Sequence, residues 1–325
     1  MALVVFVLTR QAFSHLVRGV LSIALFWLAL SYVDWSGVKE LFLGMQGRWL
    51  AMHIGVLVLE RLVFTYKWQI LLVVKNTLVP FRTLLMITLI GKFWGLFLPS
   101  SVSVDIIRGY YLYKQTASGA ISASSVLVDK VMSLWALLLM GLIGLVFYGR
   151  VFAEVKIGLY LGGLVVVTAV GLYVLQREEF ARWMDRRLPG LIGNRVSGMF
   201  LRVYQSFIDY KKHPLTLSYS FVLSVLLQLT RVLGVYTMAM ALQVDIPGIY
   251  YFVLIPIAMI LVMFPISIGG FGLREGIFVA LFALAGMSTT DAFALGFALS
   301  ITDLLISLVG GLLYAIERPA VIHRG

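Results

Sequence analysis

The chain has 325 residues, of which 61% are hydrophobic and only 13% are charged, and its mean hydropathy is +0.99. This composition excludes a soluble domain of this size and is typical of a polytopic membrane protein. The formal net charge of +11 fits basic loops that face anionic lipid headgroups better than it fits nucleic-acid binding. The absence of cysteine excludes disulfides, thiolate catalysis and cysteine-based metal sites.

Apolar segments of about 20 residues, the length needed to span a bilayer, recur along the chain. They predict a single integral membrane domain, 1–325, that is all-α and has about 7–9 hydrophobic segments. We expect the first segment to be a retained helix, because no small-residue cleavage site follows it. The segments at 82–98 and 249–286 are interrupted or short. The candidates are 16–33, 49–74, 82–98, 123–148, 156–175, 214–242, 249–264, 268–286 and 292–316.

Two charged residues, Glu60 and Arg61, lie near the middle of the 49–74 segment. A charge at the centre of a membrane helix costs roughly 2.5–3.5 kcal/mol on insertion scales, so such residues pair or line a pathway. Arg231 likewise lies within an apolar segment, 214–242. We expect Arg61 and Arg231 to neutralise an anionic headgroup along a pathway. The alternative is a purely structural ion pair.

The stretch "FLPSSVSVDIIRGYY" breaks the first half of the chain at Pro99. A proline ends or kinks a helix, so a new helix is predicted to start within residues 100–103. Its free N–H groups and positive dipole end favour an anion, and Ser100 and Ser101 add hydroxyl donors. Arg108 lies one to two turns further on, where a guanidinium grips phosphate oxygens in a fork.

The loop at 176–213 is predicted to be cytoplasmic, because it carries eight basic residues. Its sequence is typical of an amphipathic helix at the membrane surface, and a solvated basic linker is the alternative. The C-terminus is predicted to be cytoplasmic too. The basic residues of the loop are Arg177, Arg182, Arg186, Arg187, Arg195, Arg202, Lys211 and Lys212.

The stretch "FPISIGGFGLREG" breaks the second half in the same way, with Pro265 followed by Gly269 and Gly270. A new helix is predicted to start within residues 269–272, with Arg274 close to its first turn. Irregular backbone persists in hydrocarbon only where it is buried in protein or lines a wet cavity. The pattern therefore predicts a second half-site for a phosphate headgroup. The alternative is close helix packing at the glycines, with arginines that snorkel to the interface.

Several spacings recur in the same order in both halves, which suggests a duplication. With 176–213 in the cytoplasm, charge bias is satisfied if 82–98 is a re-entrant element rather than a full crossing. The repeats, about 49–148 and 214–316, are then inverted, as in many secondary transporters. The matched residues are Arg61 and Tyr66 with Arg231 and Tyr236, Pro99 and Arg108 with Pro265 and Arg274, and Asp129 with Asp303.

The aspartates Asp129 and Asp303 have two candidate roles, to balance the arginines or to bind a coupling proton. Asp105 lies three residues before Arg108, so these two side chains can pair on a helix. The four histidines have no metal-ligand spacing, and no nucleotide-binding or hydrolase motif is present. We therefore predict no catalytic residue, no metal and no cofactor.

At these residues the chain resembles the flippase-like transmembrane domain of lysylphosphatidylglycerol synthases. The resemblance rests on "FLPSSVSVDIIRGYYL", "SSVLVDKV" and "FPISIGGFGLREG", the last of which ends in Arg274 and Glu275, and it runs from about Arg61 to Gly311. In the first motif, serines and valines replace the family's glycines. The chain ends soon after its last hydrophobic segment, so we expect no lysine transfer by a soluble domain. The resemblance implies movement of a lipid between leaflets.

The sequence thus predicts a flippase or scramblase of the plasma (cytoplasmic) membrane for phospholipids or polyprenyl-phosphate lipids. Two alternatives remain at this point: a membrane transferase that acts on lipid-linked substrates, and a non-catalytic partner that presents lipid to a synthase. A homo-oligomer or a complex with a lipid-synthesis enzyme also stays open. The headgroup-binding residues predicted are Pro99, Ser100, Ser101, Arg108, Gly269, Gly270, Arg274 and Glu275, and the pathway charges are Glu60, Arg61, Asp129, Arg231 and Asp303.

Overall fold

Helices make up nearly all of the chain that the structure describes. The computed structural model describes residues 34–97, 103–148, 157–175, 177–263 and 271–322, and these ranges contain no strand, which confirms the all-α class. The helices are α1 (Trp35–Leu43), α2 (Gly47–Val73), α3 (Phe81–Gly95), α4 (Ser103–Thr116), α5 (Gly119–Tyr148), α6 (Ile157–Leu175), α7 (Glu178–Ile192), α8 (Asn194–Ile208), α9 (Pro214–Ala241), α10 (Gly248–Val262), α11 (Leu273–Phe282) and α12 (Thr289–Ile322), with 3₁₀ turns at Asp209–Lys212 and Ala283–Ala285.

Within the described residues, three helices combine the length and the apolar composition that a membrane crossing requires. They provide the stretches Gly119–Gly144 in α5, Pro214–Ala241 in α9 and Thr289–Ile316 in α12. Shorter apolar stretches occur at Gly162–Leu175 and Gly248–Val262. Helix α2 has 27 residues, but charged residues interrupt its apolar sequence. The chain is therefore an integral membrane protein with several spanning helices.

The segments that the sequence marked as interrupted form short helices. Helices α3 and α10 have 15 residues each and α11 has 10. At 1.5 Å per residue they are about 22 Å and about 15 Å long, less than the roughly 30 Å of the hydrocarbon core. Helix α4 begins at Ser103 and Gly272 is the N-cap of α11. The described part of α4 thus begins at the end of the predicted range 100–103, and α11 begins one residue after the predicted range 269–272.

The basic 176–213 region folds into two amphipathic helices rather than one. Helix α7 contains Pro189, which has no N–H to donate, and Gly193 follows it with a φ of +80° that favours glycine. Helix α8 starts directly afterwards. The region is therefore helical and amphipathic, while its location at the membrane surface stays a prediction. The basic side chains described here are exposed: Arg177, Arg182, Arg186, Arg187, Arg202, Lys211 and Lys212.

Tyr210 connects the C-terminal end of the 176–213 region to α2 through a hydrogen bond. Its hydroxyl donates to the Leu71 carbonyl oxygen at 2.9 Å, and the Lys75 ammonium lies 4.7 Å from its ring centroid. Burial raises the pKa of Tyr210 and lowers the pKa of Lys75. Asp209 accepts a 2.8 Å hydrogen bond from Lys212, which lowers the pKa of its carboxyl group. The turn is therefore held by one buried hydroxyl and a small set of charges.

The chain divides into two compact units. In unit 1 the rings of Tyr251 and Phe278 lie 5.6 Å and 5.2 Å from that of Phe282, and in unit 2 Leu71 packs with Tyr210. Unit 1 comprises the described parts of Met1–Leu59, Thr88–Ile107 and Thr230–Ile316, and unit 2 comprises those of Glu60–Ile87, Arg108–Leu229 and Glu317–Gly325.

Candidate functional site

Two cationic side chains in unit 1 meet on one carboxylate. Lys92 Nζ on α3 donates to Oδ1 of Asp303 on α12 at 2.6 Å, and Arg274 Nη2 on α11 donates to Oδ2 at 2.7 Å. Asp303 therefore bridges the two cations. The side chains are partly exposed, 16% for Lys92, 34% for Asp303 and 14% for Arg274. We call these three residues the open triad.

Helix α3 reaches the open triad because two adjacent glycines let it lie directly on α12. A Cβ atom at Gly310 would lie 2.0 Å from the Leu89 carbonyl oxygen, and one at Gly311 would lie 2.6 Å from the Phe93 ring. Non-bonded heavy atoms cannot approach so closely, so only glycine fits at positions 310 and 311. Lys92 lies one turn beyond Leu89 on α3, and the contact brings it to the α12 carboxylate.

A cap fixes Arg274 at the start of α11. The Gly272 N–H donates to Glu275 Oε2 at 2.7 Å, and Ser300 Oγ donates to Oε1 of the same carboxylate at 2.6 Å. Gly272 has a φ of +76°, which favours glycine. Glu275 is fully buried, and a Cβ at Gly296 would lie 3.2 Å from its Cα. Glu275 therefore ties the start of α11 to α12 and so positions Arg274.

Unit 2 contains the same arrangement in buried form. Asp129 on α5 pairs through Oδ1 with Lys67 of α2 at 2.8 Å and through Oδ2 with Arg108 of α4 at 3.2 Å. The side chains are 3% exposed for Asp129 and 0% for both cations. Lys67 Nζ also donates to Ser133 Oγ at 2.6 Å and to Ser224 Oγ at 3.0 Å. We call Lys67, Arg108 and Asp129 the sealed triad.

Two aromatic rings enclose the guanidinium group of Arg108. Its central carbon lies 4.3 Å from the ring centroid of Phe64 and 4.2 Å from that of Trp68. Such contacts stabilise a desolvated cation by about 2 kcal/mol or more. Trp68 Nε1 donates to Ser125 Oγ at 3.2 Å, which holds the indole in place. Contact of Arg108 with a headgroup stays a prediction. In this structure the side chain faces Asp129 and the two rings.

The two triads have the same composition and differ in access. Each contains two positive charges and one negative charge, which leaves a formal net charge of +1. In each, a lysine binds one carboxylate oxygen and an arginine binds the other. A net positive charge among apolar helices attracts an anion. Because the open triad is partly exposed and the sealed triad is not, the open triad is the candidate ligand site.

The other predicted residues fall into three groups. Glu60 and Arg61 pair with each other in unit 2, with 2.9 Å between Glu60 Oε2 and Arg61 Nη2. Arg231 is half-buried on α9, in unit 1. Outside the described residues lie Pro99, Ser100, Ser101, Gly269 and Gly270.

The sequence interpretation missed Lys67 and Lys92. Each is the cation that completes a triad, and each stands in an apolar segment, 49–74 or 82–98. A lysine within such a segment needs a partner, just as an arginine does. The sequence therefore indicated that each lysine needs a partner. It did not indicate which partner, because that residue lies 62 positions away for Lys67 and 211 positions away for Lys92.

Buried polar contacts also occur beside the open triad. His53 is fully buried, with Nδ1 at 2.8 Å from the Gly234 carbonyl oxygen and Nε2 at 3.4 Å from Thr302 Oγ1. Thr302 precedes Asp303 in the chain. No group of three or more potential metal ligands occurs among the residues that the structure describes. The contacts within the open triad are charged hydrogen bonds from Lys92 and Arg274 to Asp303.

Comparison with known protein families gives a match over most of the chain. No curated protein and no solved structure matches the sequence. A family model described as Lysylphosphatidylglycerol synthase TM region matches residues 15–311. This range contains both triads and all the motifs on which the resemblance rested, so the resemblance is confirmed. The chain therefore belongs to the family of lysylphosphatidylglycerol synthase transmembrane regions.

Proposed function

We propose that this protein moves phosphate-bearing lipids between the leaflets of a cytoplasmic membrane and that the open triad contacts the headgroup. The observation that carries the proposal is the partly exposed set Lys92, Asp303 and Arg274, which lies among apolar helices. Charges at such positions are expensive and commonly mark a substrate path. Membership of a lipid-associated family supports a role with membrane lipids.

Arg274 is the central headgroup contact in this proposal. It lies in the first turn of α11, where the helix dipole adds positive potential, and a guanidinium forms charge-assisted bonds to phosphate oxygens. Pro265, Gly269 and Gly270 precede α11 in the sequence, and we propose from the sequence pattern that they contribute to the same half-site. The substrates are anionic, aminoacylated or polyprenyl-linked lipids, which share a phosphate group.

The remaining charges have supporting roles in the proposal. Arg61 and Arg231 line the route, and Glu60 balances Arg61. The sealed triad holds the first half of the chain in a defined packing, and Pro99, Ser100 and Ser101 form the second half-site before α4.

The two triads support an inverted repeat with re-entrant elements. The repeat hypothesis matched Arg108 with Arg274 and Asp129 with Asp303, and each arginine pairs with the aspartate of its own half. The shortness of α3 and of α10–α11 supports entry and return on one side of the membrane. The exposed basic residues of α7 and α8 support a cytoplasmic location for 176–213 and for the C-terminus.

A lipid-scrambling assay tests the proposal. The full chain is reconstituted into vesicles that carry headgroup-labelled phosphatidylglycerol, and external dithionite quenches the label. We expect the wild type to lose more than the outer-leaflet half of the fluorescence. Arg274→Gln removes the charge, and losing a charged hydrogen bond of roughly 1.5–3 kcal/mol slows the inner-leaflet phase at least about tenfold. Arg202→Gln, an exposed arginine on α8, is the matched control and keeps the wild-type rate.

One result would contradict unassisted translocation. If only the outer half is quenched for neutral, anionic and aminoacylated lipids, the protein does not scramble lipids on its own. The transferase and the lipid-presenting partner would then be tested, by product formation from polyprenyl phosphate and by co-purification with a synthase.

A further inference from the structure

We propose that Asp303 is the resident counter-anion of the headgroup site and that the lipid phosphate displaces it from Lys92 and Arg274, with uptake of one proton by Asp303. This inference rests on the proposed function. It adds the way in which headgroup binding is regulated, namely by exchange of a lipid phosphate for a carboxylate and by proton concentration.

The geometry of the open triad matches a phosphodiester. A phosphodiester carries one negative charge on two non-bridging oxygens, as a carboxylate does. Asp303 uses its two oxygens on two different cations, at 2.6 Å from Lys92 Nζ and 2.7 Å from Arg274 Nη2. The same two donors can therefore hold a phosphate in its place. The two anions compete because they need the same donors.

Arg274 has a further donor that the carboxylate does not use. Its Nε–H is buried and has no hydrogen-bond acceptor among the described residues. A buried donor without an acceptor costs free energy. A phosphate offers more acceptor positions than a carboxylate, so it can engage Nε as well as Nη2 of the guanidinium. This favours the phosphate in the exchange.

The sealed triad shows which feature allows exchange. Its bridge is the same, lysine to one oxygen and arginine to the other, but Asp129 is 3% exposed against 34% for Asp303. Asp303 is therefore accessible to a ligand and to a proton, whereas Asp129 is enclosed. The exchange is therefore assigned to the open triad alone.

Displacement makes protonation of Asp303 favourable. A carboxylate that has lost both cations and lies among apolar helices is costly as an ion, so it takes up a proton and becomes neutral. Among the described residues, its ion-pair partners include Lys92 from α3 and Arg274 from α11. His53 of α2 lies one contact away, through Thr302. Because binding takes up a proton, the lipid binds more tightly as the pH falls.

The test measures proton uptake and affinity together. The purified full chain in detergent is titrated with dioctanoyl phosphatidylglycerol in a calorimeter at pH 5.5 and 7.5, in buffers of different ionisation enthalpy. For the wild type we expect uptake that approaches one proton per lipid at pH 7.5. The affinity should rise by up to about tenfold per pH unit as the pH falls. Inorganic phosphate is titrated in a second arm.

Two variants locate the proton. Asp303→Asn keeps the shape of the side chain, and we expect it to bind the lipid at least about fivefold more tightly at pH 7.5, without proton uptake. Asp291→Asn, at the first turn of α12, is the matched control and keeps wild-type affinity and uptake. His53→Gln keeps the pH dependence. If His53→Gln abolishes it instead, the proton is on the histidine and the proposal is wrong.

The outcomes separate this inference from the proposed function. If the wild type binds without proton uptake, or if Asp303→Asn equals the wild type in affinity and pH dependence, the exchange is overturned while translocation that depends on Arg274 still stands. If the wild type does not bind the lipid, both proposals fail. Inorganic phosphate that binds as tightly as the lipid would overturn a lipid site, and lipid that binds at least tenfold more tightly supports one. The wild-type uptake measurement remains decisive even if Asp303→Asn fails to fold.

Discussion

The carboxylates of Asp129 and Asp303 each join a lysine to an arginine, but their surroundings differ. Asp129 is enclosed with Lys67 and Arg108, whose side chains are fully buried. Breaking a buried ion pair leaves an uncompensated charge in a medium that cannot solvate it. Asp303 is partly exposed, as are its two cations, so removal of its charge leaves them less completely enclosed. We therefore expect the loss of Asp129 to cost more stability than the loss of Asp303, and we propose ligand binding for the open triad.

Asp129→Asn tests this difference at the level of stability. The substitution leaves two buried cations without a counter-charge, so we expect the free energy of unfolding to fall by about 3–5 kcal/mol. Asp303→Asn should cost clearly less, because its cations are partly solvated. Unfolding of both variants in detergent, followed by tryptophan fluorescence against denaturant, measures the two losses. Equal losses in the free energy of unfolding would show that the difference in exposure does not change how much each triad contributes to stability.

The sequence predicted the acidic and arginine members of both triads and gave charge balance as one candidate role of the aspartates, but it did not predict which arginine each aspartate contacts. Arg108, Arg274, Asp129 and Asp303 were singled out by recurrent spacing within apolar segments. The local pair of Asp105 with Arg108 rests on helical spacing alone and stays a prediction. The pair of Arg108 with Asp129 joins two helices, and such tertiary pairing does not follow from periodicity.

At the scale of elements, the position of α3 depends on close contact with two adjacent glycines of α12. The α12 glycines Gly310 and Gly311 admit Leu89 and Phe93 of α3 at distances that no side chain allows. Small residues are the usual means by which membrane helices approach closely. Since α3 carries Lys92, this contact also controls one of the two cations of the open triad.

Gly310→Ala should therefore disturb both stability and transport. The added Cβ would lie 2.0 Å from the Leu89 carbonyl oxygen, so α3 has to move, and overpacking of this kind costs about 1–3 kcal/mol. We expect a lower midpoint of thermal unfolding and slower scrambling in the dithionite assay. The control is Gly55→Ala on α2, where a Cβ meets no atom within 4 Å. There alanine should be neutral or stabilising by up to about 1 kcal/mol. Unchanged scrambling by Gly310→Ala would mean that α3 does not contribute to the site.

Element boundaries could be predicted where a single residue type enforces them. The prolines at 99 and 265 located the starts of α4 and α11 to within a few residues. The break between α7 and α8 was missed. It depends on Pro189 together with the left-handed conformation of Gly193, and a glycine in an amphipathic pattern does not reveal its φ angle. Hydrophobic periodicity continues across such a break, so it predicts one helix.

At the scale of the whole molecule, the open triad draws on both halves of the chain. Lys92 comes from the proposed first repeat, and Arg274 and Asp303 come from the second. Unit 1 likewise includes Thr88–Ile107 from the first half beside Thr230–Ile316 from the second. If the halves are inverted repeats, the site is thus shared between them. Substrate sites at repeat interfaces are characteristic of transporters built in this way.

The inverted arrangement predicts the side of the membrane on which each helix begins. With 176–213 in the cytoplasm, α5 runs outward and α12 runs inward, so the turn before α5 is cytoplasmic and the turn before α12 is external. The chain contains no cysteine, so single cysteines report these positions without background. The chosen sites, Lys114, Lys212 and Thr289, are exposed.

Labelling of these cysteines with a membrane-impermeant maleimide decides between inverted and parallel repeats. In intact cells we expect Thr289→Cys to react and Lys114→Cys and Lys212→Cys to stay unlabelled until the membrane is permeabilised. Labelling of Lys212→Cys shows which side of the membrane the 176–213 region faces. Comparison of Thr289→Cys with Lys114→Cys shows whether α12 and α5 begin on opposite sides. Labelling of Lys114→Cys and Thr289→Cys from the same side would mean that the helices α5 and α12, which carry the two bridging aspartates, run in the same direction. Asp129 and Asp303 would then be related by a parallel repeat, and alternating access by inversion would not describe this protein.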